Sequence, residues 1–234
     1  MELSQPRYQS ADVTIIQRAF INRVFFWMTA GLAATGFTAW YVAGKYGAVI
    51  LENRGVFYAL LIAEVLLVVG LSAAIKVLDP AVATLGFVLF AVLNGVTLSW
   101  LFLAFSANSI AATFLTTSLT FGAMGLYGWL TKKDLTAAGS LAAMGLIGLI
   151  IASLVNIFWR NSTFDLIISA VGILIFVGLT AFDAQKIKRL SIAVADGEIK
   201  ENEGRKLAIF GALELYLDFI NLFLYLLRFL GNRK

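Results

Sequence analysis

The residues of this chain best placed to do chemistry are carboxylates in apolar surroundings. Asp218 lies inside LYLDFINLFLYLLRFL, residues 215–230. Asp183 ends an apolar run in GLTAFDAQKIK, and Glu64 sits in the middle of LLIAEVLLVV. Glu214 precedes Asp218 by four residues and Asn221 follows it by three, so a helix carries all three on one stripe. An ionised group in such surroundings is expensive and marks a proton relay or an ion path by default. Two carboxyls held together away from water cannot both ionise cheaply, because desolvation and mutual repulsion act against the second charge. They would share a proton as a hydrogen-bonded clasp, and losing it would set two like charges against each other. A cation could take the proton's place, since carboxylate oxygens suit Ca²⁺; Asp183 and Asp218 are then its candidate ligands. The alternative for either Asp is a structural hydrogen bond to a Ser, Thr or backbone carbonyl of a neighbouring helix.

Composition narrows the chemistry further. The 234 residues include no Cys and no His, which removes disulfides, thiol nucleophiles, His-based triads and His or Cys zinc sites. It also removes the ordinary switch near neutral pH, so proton sensing falls to the carboxyls. The chain is 60% hydrophobic and 14% charged, against about half and a quarter in a soluble domain. A net charge of +4 could fit nucleic acid, but the placement of the charges reads as an orientation signal, and no nucleic-acid partner is expected.

About 20 apolar residues in a helix cross a hydrocarbon core of about 30 Å. Seven stretches qualify: 24–44, 56–75, 81–103, 109–130, 137–159, 164–183 and 207–230. Only helices satisfy their backbone groups internally over such lengths, so the expected fold class is an all-α integral membrane protein with seven transmembrane helices. Trp27, Trp40, Trp100, Trp129 and Trp159 all fall near span ends, where an indole keeps its body apolar and its N–H wet. With the N-terminus in the cytoplasm, twelve of the 18 Lys and Arg fall on that side and six on the other, as the positive-inside rule requires.

The organisation is therefore a cytoplasmic segment 1–23, a single bundle 24–230 and a short tail 231–234, which seven spans leave outside. A six-span arrangement with one re-entrant segment would bring that tail in. Residues 1–23 carry charges of both signs and precede a full-length span. A cleavable signal peptide has a shorter apolar core and small residues at its cut site, so the segment is expected to be retained. The one long connector is 184–206, whose first residues should prolong helix six before ADGE turns the chain back. If it bulges into the cytoplasm, Asp183 and Asp218 reach the same level. Asn94, Ser99, Ser153 and Asn156 are expected to form interhelical hydrogen bonds. Gly122, Gly125 and Gly128, and the pair Gly148/Ala152, are expected to be close-packing faces.

LYLDFINLFLYLLRFL together with GLTAFDAQKIK strongly resembles the Bax inhibitor motif (transmembrane BAX inhibitor-1-like) family, in its bacterial branch. RAFINRVFFWMTAGLAATG, LNGVTLS and SLVNIF extend the resemblance from about Arg18 to Gly231. The resemblance implies a bundle whose last helix is central and wrapped by the other six, in a bacterial inner membrane. It implies a pH-sensitive calcium leak, in which Asp183 and Asp218 form the proton-sharing pair that gates the cytoplasmic side. Glu64 matches a Glu on the ion path, and Lys76 is the candidate for a basic latch to the aspartates. Glu214 has no family role. Calcium is expected as a permeant or bound ion, with no other cofactor.

Other classes fit less well. An intramembrane aspartyl protease also sets one Asp on each of two helices, but it needs a Gly-x-Gly-Asp pattern and a Pro-Ala-Leu turn. Here Leu215, Tyr216 and Leu217 precede Asp218, and the only prolines are Pro6 and Pro80. A retinal pigment needs a Lys inside the last helix, and 207–230 has none. No enzyme activity is expected. The runner-up is an interaction protein that modulates a membrane protease or stress-response complex.

Overall fold

The computed structural model describes residues 10–74 and 77–232, without the side chains of 10–12, 48–52 and 54. The described residues form eight helices: α1 (Ser10–Glu52), α2 (Arg54–Ala74), α3 (Pro80–Leu98), α4 (Trp100–Ala104), α5 (Ala107–Leu130), α6 (Thr136–Trp159), α7 (Ser162–Ala195) and α8 (Glu201–Leu230). Short polar residues start several of them. Asp79 accepts from the Ala81 amide at 2.9 Å with Pro80 following, Ser106 accepts from the Ser109 amide, and Asn161 from the Phe164 amide. These bonds satisfy amide groups that the first helical turn leaves open.

α3 and α4 together make one span, Pro80–Ala104. The break falls at Ser99, whose hydroxyl donates to the Val96 carbonyl at 2.7 Å, a back-bond that bends helices. Ser99 therefore stays within its own helix, contrary to the interhelical role expected for it. Ser153 also bonds its own helix, at the Leu149 carbonyl, but its hydroxyl additionally meets Tyr225 of α8.

Among the described residues six helical segments are long and apolar enough to cross a membrane. α1 is the seventh long helix and contains the 24–44 stretch, diluted by Thr, Gly, Trp and Tyr. The outer surface is apolar, unlike that of a soluble protein, and the largely apolar interior also holds polar groups. Ile62, Leu66, Ile147 and Phe158 face outward, while Thr117, Ser169, Thr180, Asp183 and Asp218 are buried. A lipid-facing shell around a hydrogen-bonded interior accounts for this.

α8 is the central helix: 67% of its membrane-crossing window is buried, against 6% for α6 and 11% for α2. Its main neighbours are α7, α1, α5 and α3; α2 packs chiefly on α3 and α6 on α7, so those two helices form an outer layer. Seven helices thus surround or build the core in two shells rather than one.

Within the connector 184–206 the first residues prolong the helix and ADGE turns the chain, as expected. α7 runs on to Ala195 and α8 begins at Glu201, with Gly197 at φ +79° in the turn between them, a value that costs glycine nothing. The α7–α8 register is marked by two glycines: a Cβ on Gly204 would meet Val194 and one on Gly211 would meet Ile187. Extended along both helices, that register sets Asp218 opposite Thr180, one turn from Asp183.

The glycine faces are narrower than expected. Gly128 of α5 packs so closely on the Ala181 backbone of α7 that a Cβ would overlap it, whereas Gly122, Gly125 and Gly148 have nothing within 4 Å. Of those four glycines only Gly128 is a close-packing position, while Ala152 packs against the core.

Candidate functional site

Asp183 of α7 and Asp218 of α8 are 8% and 4% exposed, and their carboxyls are in side-chain hydrogen-bonding contact. The antiparallel hairpin brings them together with no bulged connector, because both helices continue past the level where the polar sequence begins. Asn221 is on the same stripe but turns to its own backbone, donating to the Leu217 carbonyl at 2.8 Å. Asp218 Oδ2 and Glu214 Oε2 are buried without a hydrogen-bond partner.

A basic residue completes the group. Lys186 Nζ donates to Glu214 Oε1 at 2.5 Å and lies 5.3 Å from the centre of the Phe210 ring. Lys186 follows Asp183 by three residues and Glu214 precedes Asp218 by four, so the ion pair crosses the same interface one turn away. Both Lys186 and Glu214 act electrostatically on Asp183 and Asp218.

The remaining polar residues of this stretch of α7 face elsewhere. Gln185 bonds the Lys133 carbonyl at 2.8 Å and the Leu135 amide at 2.9 Å, Lys188 bonds the Trp129 carbonyl at 2.7 Å, and Arg189 pairs with Asp134 at 2.9 Å. They clamp the α5–α6 loop. There the hydroxyl and amide of Thr136 hold the exposed Asp134 carboxyl below the usual aspartate range.

Glu64 belongs to a separate network. It is 8% exposed and accepts from Thr97 Oγ1 of α3 at 2.6 Å. Close by, the Tyr216 hydroxyl of α8 meets Thr35 Oγ1 of α1 at 2.7 Å. Thr35 in turn reaches the Ala91 carbonyl of α3 at 2.8 Å. A carbonyl only accepts, so Thr35 donates there and Tyr216 donates to Thr35. Tyr216 precedes Asp218 by two residues, which points the two side chains to roughly opposite sides of α8 at nearly one depth. The structure does not bring Glu64 to the aspartates. An apolar cavity of about 450 Å³ between α1, α4, α5 and α8 has Thr35 in its lining and includes Leu101, Phe114 and Phe223. Lys76 lies outside the described residues.

Among the described residues no group of three or more His, Cys, Asp or Glu is arranged to hold a metal ion. Asp183 and Asp218 offer two carboxyls, well short of the six to eight oxygens of a Ca²⁺ cage. The arrangement can hold a proton between helices, or meet a cation in passing.

Sequence reasoning missed the Lys186–Glu214 pair and the Thr97 and Thr35–Tyr216 partners. The signal for the first was present in the matched spacings 183/186 and 214/218, once the two helices are paired antiparallel. The second needs the packing of α1, α2 and α3 on α8, which no local spacing reveals.

Residues 17–234 match the family described as Inhibitor of apoptosis-promoting Bax1. The chain is 42% identical to the inner membrane protein YbhL of Escherichia coli K12, over 97% of this chain and 99% of the relative. It is 42% identical to an uncharacterized protein of Borreliella burgdorferi, over 97% of each. It is 32% identical to an uncharacterized membrane protein of Streptococcus pyogenes, over 96% of each.

Proposed function

This chain is a membrane protein belonging to the family of inhibitors of apoptosis-promoting Bax1, and we propose that it provides a proton-modulated leak path for cations, Ca²⁺ foremost, across a bacterial inner membrane. The observation that supports this reading is the buried Asp183–Asp218 contact joining α7 to the central helix. Ionised carboxylates only accept hydrogen bonds, so the contact is a bond when one of the two holds a proton. With the proton bound, α7 and α8 are clasped. Without it, two like charges face each other in a low-dielectric interior and drive the helices apart.

The sign follows directly: flux is low on the acid side of the pair's titration and rises on the alkaline side. Glu64, with Thr97, is a further carboxyl along the path, on the far side of α8. Ca²⁺ is cargo in this scheme, and the chain performs no covalent chemistry. The N-terminus lies in the cytoplasm, so the α7–α8 turn and its gate face the same compartment. The inner-membrane name of the Escherichia coli relative is consistent with this location.

The test is Ca²⁺ entry into dye-loaded proteoliposomes as pH is varied, for the wild type beside Asp183→Asn and Asp218→Asn. The expected result is a pH-dependent wild type and variants held low and flat, because an amide cannot acquire the second charge. Flux that ignores both pH and Asp218→Asn would remove the gate. No flux above empty liposomes would remove the leak itself, and a stoichiometric membrane partner recovered alongside would favour an adaptor of a protease or stress complex.

A further inference from the structure

Three acidic groups, Asp183, Glu214 and Asp218, face one another across the α7–α8 interface, and one ammonium stands with them. Among the described residues Lys186 is the cation whose charge is felt by both aspartates. The other basic groups of that stretch are committed elsewhere: Lys188 to the Trp129 carbonyl and Arg189 to Asp134 and Gln185. Lys186 is held on the α8 side by Glu214 and by the Phe210 ring. Meanwhile two buried oxygens, Asp218 Oδ2 and Glu214 Oε2, are left without a donor, and Asp218 is only 4% exposed. Buried carboxyl oxygens that no protein donor reaches are costly, so the cluster favours a positive charge beside it.

We infer that Lys186 is a tethered internal cation, which occupies the acidic cluster in place of a permeating ion and sets how readily external cations enter. The inference rests on the leak reading above and adds a residue that determines cation affinity. A lysine suits this work: its ammonium is a compact point charge on a flexible stem, able to retreat from Glu214 toward water when a divalent ion arrives. Its side chain is 36% exposed and that of Glu214 is 20%, so the pair stands at the wet edge of the cluster, in front of the more deeply buried aspartates.

Two roles can be separated by the direction of effect. If the Lys186–Glu214 pair is only a structural clasp, removing either member breaks the same bond and both variants change in the same sense. If Lys186 competes with the permeant ion, the two removals act oppositely. Lys186→Gln strips the competitor and leaves the carboxylates, so the half-saturating Ca²⁺ concentration falls. Glu214→Gln strips a carboxylate and frees the ammonium toward Asp183 and Asp218, so it rises. Charges about one turn apart in a partly screened interior support a change of at least about threefold each way.

The experiment is initial Ca²⁺ flux in proteoliposomes at one fixed pH, with Ca²⁺ concentration varied, for the wild type, Lys186→Gln, Glu214→Gln, the double variant and Lys186→Arg. The expected result is opposite shifts for the single variants, a double variant returning toward wild type, and Lys186→Arg staying near it. Same-direction shifts, or none, overturn the inference while leaving the leak intact. A wild type that passes no Ca²⁺ overturns the leak, and this inference with it. If one single variant loses the monodisperse fold, the other single and the double variant decide: a shift of the single in its expected direction with the double returning toward wild type supports the inference, and any other pattern overturns it.

Discussion

Replacing Tyr216 with Phe removes one hydroxyl from a fully buried ring and leaves the ring's packing against Phe87 and Phe90 in place. Thr35 keeps its backbone acceptor, so the expected loss is about 0.6–1 kcal/mol, the usual worth of a hydrogen bond between membrane helices. Tyr216→Ala also opens a cavity beside two aromatic rings and should cost about 3–5 kcal/mol. Thr97→Val leaves Glu64 Oε1 without its donor, a penalty of about 1–3 kcal/mol. Thermal unfolding in detergent checks the order Tyr216→Phe, Thr97→Val, Tyr216→Ala; equal losses for the two Tyr216 variants would show that the ring is not packed as described. At this scale the acids were legible in sequence, because a carboxylate in an apolar run stands out by its cost alone. Their partners were not. A Thr is common in any helix, and Thr97 gains meaning only once α2 lies against α3. Glu214 was visible on the Asp218 stripe, but no local spacing gave it a partner; the structure gives it Lys186.

The helices set a different kind of constraint, visible where α5 meets α7. Gly128→Val should prevent correct docking, because the added carbons collide with the Ala181 backbone, and backbone cannot swing aside as a side chain can. Gly125→Ala and Gly148→Ala should be neutral or stabilising by about 0.4–1 kcal/mol, since neither added methyl meets anything within 4 Å and each reduces the freedom of the unfolded chain. Expression level and unfolding temperature in detergent distinguish the two classes, and a well-folded Gly128→Val would contradict the α5–α7 approach. From sequence the five positions Gly122, Gly125, Gly128, Gly148 and Ala152 looked alike. Which of them faces a neighbour depends on rotation about the helix axis, and small residues carry no hydrophobic periodicity to report it. The prolongation of the helix through QKIKRL up to the ADGE turn was legible in the sequence; what it is used for was not, since Gln185, Lys188 and Arg189 clamp the α5–α6 loop.

For the whole molecule the spans were the most legible feature, since the hydrocarbon thickness fixes span length; the excess of basic charge supplies an expected direction. The structure places Arg23 and Arg205 around one pocket with the start of α3, and Lys132, Lys133, Lys188 and Arg189 around another, so the α2–α3, α5–α6 and α7–α8 connections share a basic end. At the opposite end Arg228 pairs with Asp165, and the Asn232 amide bonds Ser109, which ties the C-terminal end of α8 to the start of α5. A seven-span protein with a cytoplasmic N-terminus would expose its C-terminal end on the side of the membrane away from the cytoplasm. The absence of native Cys makes this directly measurable. Single substitutions Lys132→Cys and Glu198→Cys fall in the basic connections, and Asn108→Cys and Asn232→Cys at the other end; all four positions are exposed. An impermeant maleimide added to intact spheroplasts should label Cys at 108 and 232 and reach 132 and 198 only after lysis. Labelling of 198 from outside would invert the molecule and put the proposed Asp183–Asp218 gate on the wrong face. Protection of 232 with labelling of 108 would restore the six-span arrangement, in which one long helix fails to cross.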